Sequence, residues 1–319
     1  MFVNSFDRHS QVTHLCPIKT GAGGLISKDW CIDTFAERLA VLPDDLYEEQ
    51  IIRPELLLWA RGPLSIYYVP FERVNPGAKL FLVGLTPGRQ QMWRASMAAA
   101  RALREGLAIP DVLSAASMNG SFAGSMRTNL VTMLDGIGVA AWLGLPTTGL
   151  IWTSQDAAHL VGSTSALLHP VFLNGKNYSG GNPSFSEEPI LSAFVDQVLA
   201  ADLAFVPDAL VIPLGKAVSE AVNRIVGAGQ IDAQQVLLGF PHPSGANGHR
   251  KRQYEERRLD LTNQVEQWAS RQTFVEVHSI SDKSESRTRT NSEDPSEVGR
   301  CVLDTSHSDV GCKPHEGSE

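Results

Sequence analysis

The sequence predicts a soluble α/β domain, a three-layer α/β/α sandwich around a mostly parallel sheet, and three observations carry that expectation. Short apolar runs alternate with longer helical patterns, which implies a sheet covered by helices. The runs are continuously apolar, as strands buried on both faces are. Two loops rich in Gly and Pro follow such runs directly, at the place where open α/β sheets bind ligands. The strand candidates are Lys79–Val83, Leu150–Thr153, Ala166–Leu173, Ala209–Pro213 and Val236–Phe240. The helix candidates are Gln91–Leu107, Arg127–Leu134, Ile190–Ala201, Lys216–Val226 and Tyr254–Gln272. An uncharged stretch between Asp135 and Asp156 is long enough to raise a membrane question. Gly144, Pro146, Thr147, Thr148 and Gly149 interrupt it, so it reads as helix, loop and strand. No internal repeat is present, which excludes solenoids.

Composition narrows the class. With 319 residues, 43% hydrophobic and 19% charged, the chain is neither fibrous nor wholly disordered and can bury a sizeable core. A net charge of -8 excludes a uniformly basic DNA-coating protein but leaves room for a local basic patch. Residues 272–319 carry ten acidic and five basic side chains, so most of the acidity is a property of the end of the chain. That segment is rich in Ser, Thr and mixed charge, and the expected organisation is one domain over residues 1–271 followed by a disordered acidic tail over 272–319. Cys16, Cys31, Cys301 and Cys312 show no CxxC spacing, which argues against a zinc ribbon or a dense disulfide framework. The first sixteen residues lack the apolar core of a signal peptide, and a cytoplasmic location is expected.

The two loops look chemical. In the first, Gly84, Pro87 and Gly88 hold the backbone tightly just before a helix, so amide N–H groups can face an anion or a carbonyl. It has neither GxGxxG nor a Lys-Ser/Thr after the glycines, and taken alone it reads equally as a plain strand-to-helix turn. In the second, His242 lies between Pro241 and Pro243, which restrict the directions its ring can take. Ser244, Gly245, Ala246 and Asn247 follow, then the basic run Arg250, Lys251 and Arg252, which offers phosphate contacts or, with Glu255 and Glu256 next in line, a solvated face.

Together these segments resemble the uracil-DNA glycosylase superfamily. Gly84-Leu85-Thr86-Pro87-Gly88 stands in the place of its first motif and His242-Pro243-Ser244 matches its last. Gly120-Ser121-Phe122-Ala123-Gly124 resembles the segment in which a phenylalanine stacks on the flipped base, and Leu210–Lys216 resembles the strand-Leu-Gly-Lys element. All four occur in the family's order, across about residues 79–250. The resemblance implies a monofunctional glycosylase that turns a nucleotide out of DNA and hydrolyses its N-glycosidic bond, with neither metal nor other cofactor. His242 would donate to the carbonyl oxygen that gains charge as the base leaves, a contribution of about 3–4 kcal/mol. Phe122 would stack on the base and the backbone of Gly84, Leu85, Pro87 and Gly88 would line its edge, with Ser244 beside it and Arg89 and Gln90 toward the DNA.

Three departures from the family pattern shape the expected substrate. Thr86 replaces the acidic or amide residue that orients the attacking water. Gly88 stands where the strictest uracil enzymes carry a tyrosine that excludes groups at C5 of the pyrimidine. Ser165 occupies the place of a base-reading asparagine, for which Asn174 and Asn177 are substitutes or merely turn residues. These tilt the expectation toward a C5-modified pyrimidine, as in modified phage DNA and hence an antiviral role; ordinary uracil repair is the alternative. From another class, the same fold could be a catalytically silent nucleic-acid-binding module, a reading that Thr86 encourages. A hydrolase of the GxSxG type has no motif to support it.

Overall fold

A computed structural model describes residues 25–288 of the chain, with side chains for 25–272. The chain divides into two compact units, Met1–Gln272 and Thr273–Glu319, and the fold and cleft lie in the first. In chain order the first elements are α1 (Ile32–Ala40), β1 (Leu57–Arg61), β2 (Leu64–Tyr67) and β3 (Leu80–Gly84). Then come α2 (Arg89–Arg104), α3 (Ile109–Gly120), α4 (Ser125–Asp135), α5 (Val139–Trp142) and α6 (Gln155–Ala158). After β4 (Val161–Ser165), β5 (Val171–Leu173) and β6 (Lys176–Asn177), α7 (Pro189–Ala193) passes through one π-helical segment into α8 (Ala200–Ala204). The last elements are β7 (Leu210–Pro213), α9 (Lys216–Gly227) and α10 (Arg250–Thr288).

The class is mixed α/β, with a parallel sheet of three strands in the order β4-β3-β7. Every residue of β3 is buried, which is why its run is continuously apolar. Leu80 and Leu82 face a core shared with α4 and α10, including Leu130, Leu134, Tyr254 and Leu261. Phe81 and Val83 face the opposite core with Val218 and Val222 of α9 and Leu203 of α8. The stripe Val218, Ala221, Val222, Ile225 has the spacing that turns one face of α9 inward. Helices therefore cover both faces of the parallel sheet.

Beside it stands a second sheet that the sequence reading missed, antiparallel in the order β1-β2-β5-β6. The expected strand Ala166–Leu173 is split between the two. Ala166 and Leu167 continue the ladder of β4 by donating to the carbonyls of Gly84 and Leu85. Pro170, with no N–H to offer, ends that pairing, and Val171 opens β5 against Ile66 of β2. The expected strand Leu150–Thr153 is a short 3₁₀ turn, Thr148–Trp152, because Thr147 accepts from Gly149 N–H at 3.1 Å and Asp135 binds the Thr148 N–H at 2.8 Å. The expected strand Val236–Phe240 shrinks to one bridge with Val211, since Gly239 takes φ +91° and turns the chain away.

The remaining helix candidates match α2, α4, α7–α8 and α9, whereas α1 and α3 were not foreseen. The tail expected to be disordered from Gln272 begins inside α10, whose backbone runs on to Thr288 because no Gly or Pro interrupts it; residues 289–319 lie outside the described residues. Among the described residues, no helix is long and apolar enough to cross a membrane, and no group of three or more His, Cys, Asp or Glu side chains is arranged to hold a metal. Cys31 is a buried free thiol, and Cys16, Cys301 and Cys312 lie outside the described residues.

Candidate functional site

The loops after β3 and β7 and the His242 segment meet at one cleft of about 840 Å³, whose lining includes Leu85, Thr86, Gly88, Gln90, His242 and Ser244. Parallel pairing brings this about. β3 lies between β4 and β7, so their carboxyl ends open on the same side, and Gly215 N–H donates to Phe240 C=O at 2.9 Å, tying the His242 segment to the end of β7.

His242 is held in one chemical form. The Ser244 N–H donates to its Nδ1 at 3.3 Å, so in the neutral ring the proton sits on Nε2. Burial alone holds its pKa below the ordinary histidine value and favours that neutral form. Nε2 has no hydrogen-bond partner among the described residues. The segment around it is braced on several sides. Asn129 donates to Pro243 C=O at 2.9 Å, Asn247 to His242 C=O at 3.2 Å, and Arg250 to Ser244 C=O at 2.7 Å. Gly215, at φ +96°, has no room for a side chain, because a Cβ there would stand 2.9 Å from that of His242.

The first loop uses its polar groups internally. Thr86 Oγ1 donates to His169 C=O at 3.0 Å and accepts from Val171 N–H at 3.0 Å, so the hydroxyl that stands in place of the family's water-orienting residue clips the loop to the start of β5. Arg89, read as a DNA contact, donates to Gly175 C=O at 2.6 Å and lies over the Phe172 ring at 5.8 Å. The Asn177 Oδ1 accepts from Arg89 N–H at 3.0 Å, which caps α2 and turns the amide Nδ2 toward Gly88. Gly88 is thus not beside open space: a Cβ there would meet Asn177 Nδ2 at 3.2 Å. Gln90 lines the cleft beside Gly124, where any side chain would collide with its amide.

Two further expected residues converge elsewhere. A Cβ at Gly84 would meet Ser165 Oγ at 3.2 Å and the Phe122 ring at 3.5 Å. Phe122 adopts φ +53°, a conformation rare for a phenylalanine, and Arg127 fixes its segment by donating to the carbonyls of Met118 and Ser121. Phe122 and Ser165 border not the cleft but an adjoining chamber of about 20 Å³, with Ser117, Ser121, Ser163 and Gln91. Gln91 borders both spaces. Phe122 is only 6% exposed, so its ring does not lie open on the cleft.

Asn174 is not part of the site. It is exposed, and with Gly175 it forms the β5–β6 turn, both at positive φ, so the turn reading holds for it. Of the basic run, Arg250 braces the His242 segment, Arg252 lies 3.7 Å from Glu256, and Lys251 is exposed. Sequence reasoning gave no role to Asn129 or Glu48, which are remote in sequence from both loops; Asn247 and Gly215 lay inside the quoted segments without a role.

The chain is 35% identical over 247 residues to a Bacillus subtilis protein, "Uncharacterized protein YoxB", an alignment covering 77% of this chain and 96% of that one. The chain belongs to the YoxB family. No protein-family model matches it, and no solved structure matches it.

Proposed function

We propose that the protein is a monofunctional DNA glycosylase with a uracil-DNA glycosylase-like fold, hydrolysing the N-glycosidic bond of a flipped pyrimidine that carries a group at C5, as the modified bases of phage DNA do. The observation that carries this reading is the His242 ring, held neutral and in the Nε2–H form with that N–H free on the cleft. A fixed donor of this kind suits a base leaving with charge on a carbonyl oxygen. The free Asn177 Nδ2 beside Gly88 adds a donor where a blocking ring would otherwise stand. Phe122 serves as the stacking surface, from a chamber that shares Gln91 with the cleft.

One observation favours a second reading, a nucleic-acid-binding module without catalysis: Thr86 has its hydroxyl bound to backbone and is no base for water. Incubation with duplex and single-stranded oligonucleotides carrying uracil, 5-hydroxymethyluracil, 5-hydroxymethylcytosine or glucosylated cytosine, followed by alkali, separates the two. The glycosylase reading expects strand cleavage in at least one arm and none in the unmodified control. Binding without cleavage in every arm supports the silent module.

A further inference from the structure

With Thr86 engaged, the glycosylase reading lacks a group to take the proton of the attacking water. Two carboxylates line the cleft, Glu48 and Glu220. Glu220 is largely exposed to solvent, with Lys216 at 3.8 Å from one of its oxygens. Two other carboxyls, Glu72 and Asp202, are fully buried, bonded to Tyr68 and Thr164, raised by burial to about 7, and are not part of the cleft lining. Glu48 is half-buried, and its carboxylate makes no ion pair or hydrogen bond among the described residues.

Its position is set by α2. Trp93 Nε1 donates to Leu46 C=O at 2.8 Å, which ties the short 3₁₀ turn Glu48–Gln50 to the first turns of α2, and Glu48 shares the cleft lining with Gly88, Gln90 and Gln91. We infer that Glu48, which lines the same cleft as His242, is the general base of the reaction. This rests on the glycosylase reading. Glu48 takes a proton from water as the water oxygen bonds to the sugar C1′; the C1′–N bond breaks, and its electron pair leaves with the base, whose carbonyl oxygen is held by His242 Nε2–H. The proton on Glu48 then passes through solvent to the departed base, and the carboxylate is regenerated.

The test is single-turnover base release by wild type, Glu48→Gln and Glu48→Asp, with DNA affinity measured in parallel, on whichever oligonucleotide of the set above the wild type cleaves. The inference expects a loss of about a hundredfold or more in Glu48→Gln with affinity unchanged, the size typical of a lost general base, and partial recovery in Glu48→Asp. Release within about threefold of wild type in Glu48→Gln overturns the role of Glu48 while leaving the glycosylase reading intact. A wild type inactive on every oligonucleotide overturns both.

Discussion

Two histidines stand behind the two loops, and burial lowers the pKa of both. His169, against the first loop, is fully buried among Trp30, Tyr68 and Phe194, is pushed down to about 4, and neither ring nitrogen makes a hydrogen bond that meets full geometry. His242, on the second, has Nδ1 satisfied by Ser244 and Nε2 open on the cleft. The same contrast holds for the loops themselves. Thr86 and Arg89 spend their side-chain donors on the carbonyls of His169 and Gly175, whereas Asn129, Asn247 and Arg250 brace the backbone around His242 and leave Nε2 without a partner. The first loop is a wall, and the second presents a ring nitrogen without a partner among the described residues.

The sharpest way to break this contrast is Gly215→Ala. The added methyl meets His242 Cβ and demands φ +96° of an alanine, a strain of about 1–3 kcal/mol. A displacement of the ring of around 1 Å lowers base release by about a hundredfold. Unchanged release would mean that Gly215 does not position the ring.

Next in size is Thr86→Val, which leaves Val171 N–H and His169 C=O unpaired at a cost of about 1–3 kcal/mol, seen as a lower denaturant midpoint. Release at low temperature should stay within a few-fold of wild type. A hundredfold loss without destabilisation would return Thr86 to the chemistry.

A smaller effect separates the histidines by pH. Between the ordinary value of 6.5 and about 4, the unfolded chain binds a proton at residue 169 that the folded protein refuses, so this residue costs stability as pH falls through that window and nothing above it. His169→Leu should therefore gain melting temperature relative to wild type on going from pH 7 to 4.5. A constant difference would show that the ring is not refused a proton.

The smallest effect concerns the basic run. If Lys251 and Arg252 each contact one phosphate, neutralising both flattens the plot of log affinity against log salt by about 1.8, from roughly 0.9 per contact. Adding Arg250→Ala should change catalysis instead, because its guanidinium holds Ser244 C=O. A further flattening of similar size would place Arg250 on DNA.

What the sequence could show follows the same division. β3, β7 and α9 were legible because burial on both faces, or along one stripe, writes itself into a continuous or periodic apolar pattern. The antiparallel sheet was not, since β1 is largely exposed and β5 is three residues long. The 3₁₀ turn at Thr148 was decided by Asp135, a side chain outside the run itself. In the site, His242 and Gly88 were legible as local motifs, and Asn177 as a polar residue near a turn. The engagement of Thr86 was not, because its partners belong to the start of another sheet.

The central claim is that His242 Nε2–H acts on the leaving base. Single-turnover base release by wild type and His242→Ala, on the preferred oligonucleotide and at matched DNA occupancy, tests it most directly. The account predicts a folded, DNA-bound variant whose release is slower by about a hundredfold or more, the loss of one donor to developing negative charge. Release at the wild-type rate would contradict it.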